Sequence, residues 1–149
     1  MRKLLITFLV VFAPVVTLAA GGGAHLDRAE IDTTDKASLK RGSKLFVDYC
    51  LSCHSAKFQR YSRMAEDLEI EEEVLLRDYM VGVEKPGETM RVAMTDEMAK
   101  KWFGTKIPAL SLVARSRGVD WLYTYLRSFY IDTQRPFGVT NPLFQGCCL

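Results

Sequence analysis

The sequence predicts an all-α domain, and three observations carry that expectation. Apolar residues recur at spacings of three and four, with capping residues before the runs and glycines after them. No run alternates apolar and polar residues as a half-buried strand would. A hydrophobic content of 48% over 149 residues is enough for one domain with a real core. The charge balance, 20 basic against 18 acidic residues with no clustered basic face, excludes nucleic acid as a partner.

Met1–Ala20 precedes that domain. Arg2 and Lys3 open it, an apolar run extends from Leu4 to Leu18, and the small residues Ala19 and Ala20 close it ahead of "GGG". This is the layout of a secretory signal peptide, so residues 1–20 are assigned to export and 21–149 to the mature domain. Removal of Arg2 and Lys3 leaves 18 basic against 18 acidic residues. No later run has the length and apolarity of a membrane-crossing helix.

The polar lead-in "GGGAHLDRAEIDTTDKA" contains His25, read as a surface histidine. Ser38 is a suitable cap for a first helix running to about Tyr49, in which Leu39, Gly42, Leu45, Phe46 and Tyr49 share a face. Ser55–Ala65, rich in basic and aromatic residues, reads as a loop wrapping something. "EIEEEVLLRDYMVG" predicts a short helix with its acids at the positive end of the dipole and Gly82 beyond its close. The wider acidic run, Glu66, Asp67, Glu69 and Glu71–Glu73, is either a solvated helix start or a docking surface for a basic partner. "TDEMAKKWFG" has Thr95 as cap, Lys100 and Lys101 late, and Gly104 as stop. "SLVARSRG" predicts another turn or two, and Asp120 is placed as cap of "WLYTYLRSFY". The remainder, with Pro136, Gly138, Pro142 and Gly146, shows no helical period and predicts a long closing loop. It does not match a prenylation signal, which needs cysteine where Gly146 stands.

Chemistry concentrates in "YCLSCHSAK", where Cys50 and Cys53 are followed at once by His54, one of two histidines in the chain. A structural zinc site would need a second ligand pair, and the adjacent Cys147 and Cys148 would be strained as tetrahedral ligands. A thioredoxin-like pair belongs beside a strand–helix–strand unit, which is lacking here. A Cys50–Cys53 disulfide suits an exported protein but leaves His54 unexplained. Covalent attachment of haem c accounts for all three residues: two thiols add across the porphyrin vinyl groups, and the next residue places an imidazole beneath the iron as axial ligand. A signal peptide agrees, since such haem is attached outside the cytoplasm.

"RGSKLFVDYCLSCHSAKFQRYSRMAEDL", "MAKKWFG" and "LSLVARSRGVDWLYTYLRSFYIDTQRPFGVTNP" closely resemble the haem domain of the bacterial cytochrome c1 family, from about Gly21 to Phe144. The resemblance implies a cytochrome c-like haem domain within quinol–cytochrome c reductase, on the periplasmic side of the inner membrane. Its partners would be cytochrome b, the Rieske iron–sulfur protein that supplies the electron, and a soluble cytochrome c that accepts it. It implies that Cys50, Cys53 and His54 hold the haem, with His54 on the iron. It further implies that Arg115 lies near a haem propionate and that Pro108 lies on the histidine side, where a backbone carbonyl orients the imidazole. The family shows a second proline and an aspartate around Pro108, where this chain has Ile107 and Ala109.

In the family the segment matching "NPLFQ" is followed by a methionine that supplies the sixth iron ligand, then by a helix crossing the first one, then by a membrane anchor. The resemblance therefore implies a C-terminally incomplete domain, with the first-helix face uncovered and "GCCL" as a frameshifted or truncated end. Alternatives are a free periplasmic monohaem carrier, a non-functional product, and, from a different class, a cysteine-based metal or redox module. Met90 and Met94 are candidates for a substitute iron ligand, against a reading as packing residues.

Overall fold

A computed structural model describes residues 25–144. The signal peptide, the glycines after it and Cys147 with Cys148 lie outside the described residues.

Helix α1, Lys36–Leu45, runs directly into a wider π turn at Phe46–Cys50. Its cap is Asp35, not Ser38: the Asp35 carboxylate accepts the Ser38 backbone N–H at 2.9 Å. A carboxylate at the positive end of the helix dipole is a better acceptor than a hydroxyl one turn further in. In the π turn the Leu51 N–H donates to the Phe46 carbonyl, five residues back, at 2.9 Å. Such widenings often occur at functional sites. This one ends on Cys50.

The basic, aromatic stretch after the motif is strand and helix, not loop. Strand β1, Ala56–Arg60, pairs antiparallel with β2, Thr89–Met90, with Ala56 opposite Met90 and Arg60 opposite Thr89. Five residues facing two force a bulge, so no clean alternation was available for the sequence to show. Helix α2, Tyr61–Leu68, buries Tyr61, Met64 and Ala65 on one face. Helix α3, Glu72–Val74, continues as a second π turn, Leu75–Tyr79, whose first and last residues are buried. These side chains form a core with Leu51, Ala56, Met80 and Met90, against which Phe46 and Val47 of the first π turn pack.

Helix α4, Asp96–Phe103, is bounded as its sequence predicts, with the Thr95 hydroxyl accepting the Met98 N–H and Gly104 in the left-handed region at φ 71°. Helices α5, Val113–Arg117, and α6, Val119–Arg127, are joined by Gly118 at φ 90°, a conformation open to glycine. Asp120 therefore lies inside α6 and caps nothing. Its carboxylate accepts the Ala29 N–H at 2.8 Å, while the Thr124 hydroxyl accepts the Asp27 N–H at 2.8 Å, so the lead-in is strapped along α6.

The closing segment is organised as well. Strands β3, Tyr130–Ile131, and β4, Val139–Thr140, pair antiparallel, and the Asp132 carboxylate accepts the Gln134 N–H in the turn between them. Asn141, 1% exposed, donates from Nδ2 to the Tyr125 carbonyl at 2.8 Å and accepts the Leu143 N–H at 3.0 Å. The all-α expectation is thus corrected to a mostly helical domain with two small two-stranded ladders. Among the described residues no helix is long and apolar enough to cross a membrane.

Burial is uneven. The contiguous core is drawn from residues 51–90. In the second half, Trp102, Phe103, Leu112, Val119, Tyr123, Leu126 and Phe129 stay exposed, and the buried residues among those described are Ala99, Thr124, Thr140 and Asn141. The predicted first-helix face divides: Phe46 packs onto the core, while Leu45 and Tyr49 are 56% and 75% exposed and open space adjoins Gly42.

Asn141→Ala removes the bond that ties the closing segment to Tyr125 of α6 and the local bond to the Leu143 N–H. It is expected to lower unfolding stability by about 1–3 kcal/mol, the cost of leaving buried polar groups unsatisfied. Chemical denaturation of wild type and variant, with the midpoint moving and the slope unchanged, checks this.

Candidate functional site

Cys50 closes the first π turn, and its carbonyl accepts two hydrogen bonds, from the Cys53 N–H at 3.1 Å and the His54 N–H at 2.7 Å. Cys50, Cys53 and His54 are thereby held within a single turn. Both thiols are free and half-buried, so the pair is not a disulfide.

The imidazole is oriented from the other half of the chain. His54 Nδ1 lies 2.8 Å from the Pro108 carbonyl oxygen. A carbonyl only accepts, so Nδ1 carries the proton and Nε2 keeps its lone pair for a metal. Three further bonds hold the segments around this contact: Leu110 N–H to the Ser55 carbonyl at 2.8 Å, Phe58 N–H to Ser111 Oγ at 3.1 Å, and Val92 N–H to Ser55 Oγ at 3.0 Å. Ser55 and Ser111 carried no sequence signal, because a serine's role as acceptor depends on which distant N–H is brought to it.

Beside Cys53 opens a cleft of about 370 Å³ whose walls include Met94, Ile107 and Ala109 together with Lys57, Arg91 and Lys106. Ile107 and Ala109 flank Pro108, so the cleft shares its wall with the loop on the Nδ1 side of His54. Hydrogen bonding to Asp96, and the attraction of that carboxylate, hold the Lys106 pKa above its usual value. Met94 shares the wall of this cleft with Cys53. Met64, Met80 and Met90 are buried in the core, as the packing reading expects.

Arg115 sits mid-way along α5, exposed and without an ion-pair partner among the described residues. A guanidinium in that state is available to a carboxylate. His25 is exposed in the lead-in, and Glu66, Asp67, Glu69 and Glu71–Glu73 are exposed too. The acidic run first meets this chain's own cations. Lys40 Nζ donates to the Glu69 carbonyl at 2.9 Å, Lys36 Nζ to that of Asp67, and Arg63 pairs with the Asp67 carboxylate at 2.8 Å.

The surroundings fit a porphyrin. Phe58, 65% exposed, and Leu112 are carried by segments bonded to each other beside the motif, and the second half presents a set of aromatic and aliphatic side chains with no core of its own to bury them. A planar apolar body placed against them would supply what the polypeptide lacks.

A mostly helical domain in which two free thiols and a carbonyl-oriented imidazole share one turn is a c-type haem domain. Residues 27–149 match the Cytochrome C1 family, and the chain belongs to that family, whose cofactor is one covalent haem c. Cytochrome c1 of Allochromatium vinosum is 51% identical over 144 residues, covering 97% of this chain and 59% of that protein. The ammonia monooxygenase gamma subunit of Nitrosomonas europaea is 45% identical over 135 residues, 91% of this chain and 57% of its own length. The chain spans just under three fifths of the length of these curated relatives.

Proposed function

We propose that the chain is an electron-transfer subunit of a quinol–cytochrome c reductase, exported by its first 20 residues and working on the periplasmic side of the membrane. Residues 21–149 are read as its haem domain. When bound, the haem supplies a one-electron iron centre. Cys50 and Cys53 each add a sulfur to a vinyl group, the thiol proton going to the neighbouring vinyl carbon. His54 offers Nε2 to the iron while the Pro108 carbonyl holds the proton on Nδ1, which raises the donor strength of the ring. Arg115 balances a propionate. Electron supply by a Rieske iron–sulfur protein, delivery to a soluble cytochrome c, and assembly with cytochrome b follow the family.

The observation that carries this reading is the single turn holding two free thiols beside an imidazole whose proton is already placed. Assembly membership is supported over a free carrier by the name of the second relative, itself a subunit. The exposed Leu45 at the end of α1 and Tyr49 in the π turn agree with it.

Protein that stays red after acid–acetone extraction and gives a pyridine haemochrome spectrum carries the haem covalently. Cys50→Ala and Cys53→Ala are each expected to lose one thioether and most of the holoprotein. Mass spectrometry showing normal haem addition in the double variant would refute the attachment. In the holoprotein, Met90→Leu and Met94→Leu are expected to leave the visible and near-infrared spectra unchanged, since one side chain is 1% exposed in the core and the other is read as a packing residue. Loss of a sulfur-to-iron band in either variant would show the opposite.

A further inference from the structure

Pro108 is exposed, in a stretch between α4 and α5 that is neither helix nor strand. A carbonyl in such a stretch has no ladder to hold it. Yet it meets His54 Nδ1 at 2.8 Å. The bonds that keep it there converge on the segment that carries His54 itself. One residue beyond the histidine, the Ser55 carbonyl accepts the Leu110 N–H; four beyond it, the Phe58 N–H donates to Ser111 Oγ. Both ties lie within three residues of Pro108, and the second is made by a side chain.

The same segment is fixed to the core by a second hydroxyl. Ser55 Oγ accepts the Val92 N–H at 3.0 Å, two residues past Met90, which is 1% exposed. The path thus runs from the core through Val92 to Ser55, and from the Ser55–Phe58 segment through Leu110 and Ser111 to Pro108. Each hydroxyl acts as acceptor for a backbone N–H that would otherwise need water or another partner. Threonine can do the same; alanine cannot.

We propose that Ser111 and Ser55 are positioning residues for the axial histidine: their hydroxyls brace the Pro108 carbonyl against His54 Nδ1 and thereby set the donor strength of the ring toward iron. The proposal rests on the haem reading above. A carbonyl close to the ring N–H gives the imidazole part of the character of an anion, which favours ferric iron. Slackening the brace lengthens that contact on average and favours ferrous iron. The effect passes through geometry alone, since neither serine reaches the ring.

The experiment uses holoprotein, with covalent haem first established on the wild type by the pyridine haemochrome spectrum. Ser111→Ala is expected to raise the reduction potential and to speed exchange of the His54 Nδ1 proton about fivefold, the population change that losing one ordinary hydrogen bond produces. Ser55→Ala is expected to move both in the same direction, and Ser111→Thr to restore both. A purely structural role would lower the melting temperature and leave potential and ring-proton exchange where they were, and that result overturns the brace. The wild type supplies a test that needs no variant. Nδ1–H should exchange in step with the amides of Leu110 and Phe58, because the three bonds open together; exchange independent of those amides overturns the proposal as well. Absence of covalent haem from the wild type would instead defeat the functional reading on which it stands.

Discussion

The hydrogen bond between His54 and Pro108 joins two halves of unequal quality. On one side lies a segment with its own packed core; on the other lie short helices whose large side chains are mostly exposed. The contact is polar and reaches across more than fifty residues of chain, and it sits among bonds of the same kind from Ser55 and Phe58. Polar bonds of about 1 kcal/mol net each align two surfaces far better than they hold them together. Cohesion has to come from buried apolar area.

That division gives the parts of the site different tasks. The core from residues 51–90 makes the turn that carries Cys50, Cys53 and His54 rigid, through the π turn on one side and β1 on the other. The second half contributes the Pro108 carbonyl. The lead-in strap on α6, through Asp27 with Thr124 and Ala29 with Asp120, adds a further brace.

Some features were expressed in local patterns and so were open to reading from the chain alone. Thr95 and Gly104 bound α4 because capping is decided within four residues. The motif at Cys50–His54 names its own chemistry, because the spacing of two thiols and an imidazole is set by a helical turn. Other features were closed to that reading. Asp120 looks like a cap until Gly118 starts α6 earlier, after which its carboxylate serves the lead-in. Ala56–Arg60 lacks alternation, and its strand character comes from a partner some thirty residues away with a bulge between them. Asn141 looks like part of a terminal loop, although burial and two hydrogen bonds make it the lock of that segment.

By itself, then, the sequence determined the family, through stretches spread along the whole chain, and the cofactor's attachment chemistry and the position of the capped helix, because each of these two depends on residues within one or two turns of each other. Tertiary structure alone decided that Ser55 and Ser111 bond to the segments around the His54–Pro108 contact, that Met94 shares a cleft wall with Cys53, and that Lys36 and Lys40 of α1 donate to the Asp67 and Glu69 carbonyls. The reason is common to all three. A hydrogen bond or a cleft wall between segments far apart in sequence has no signature in either segment, since serine, methionine and lysine read the same whatever the fold sets opposite them.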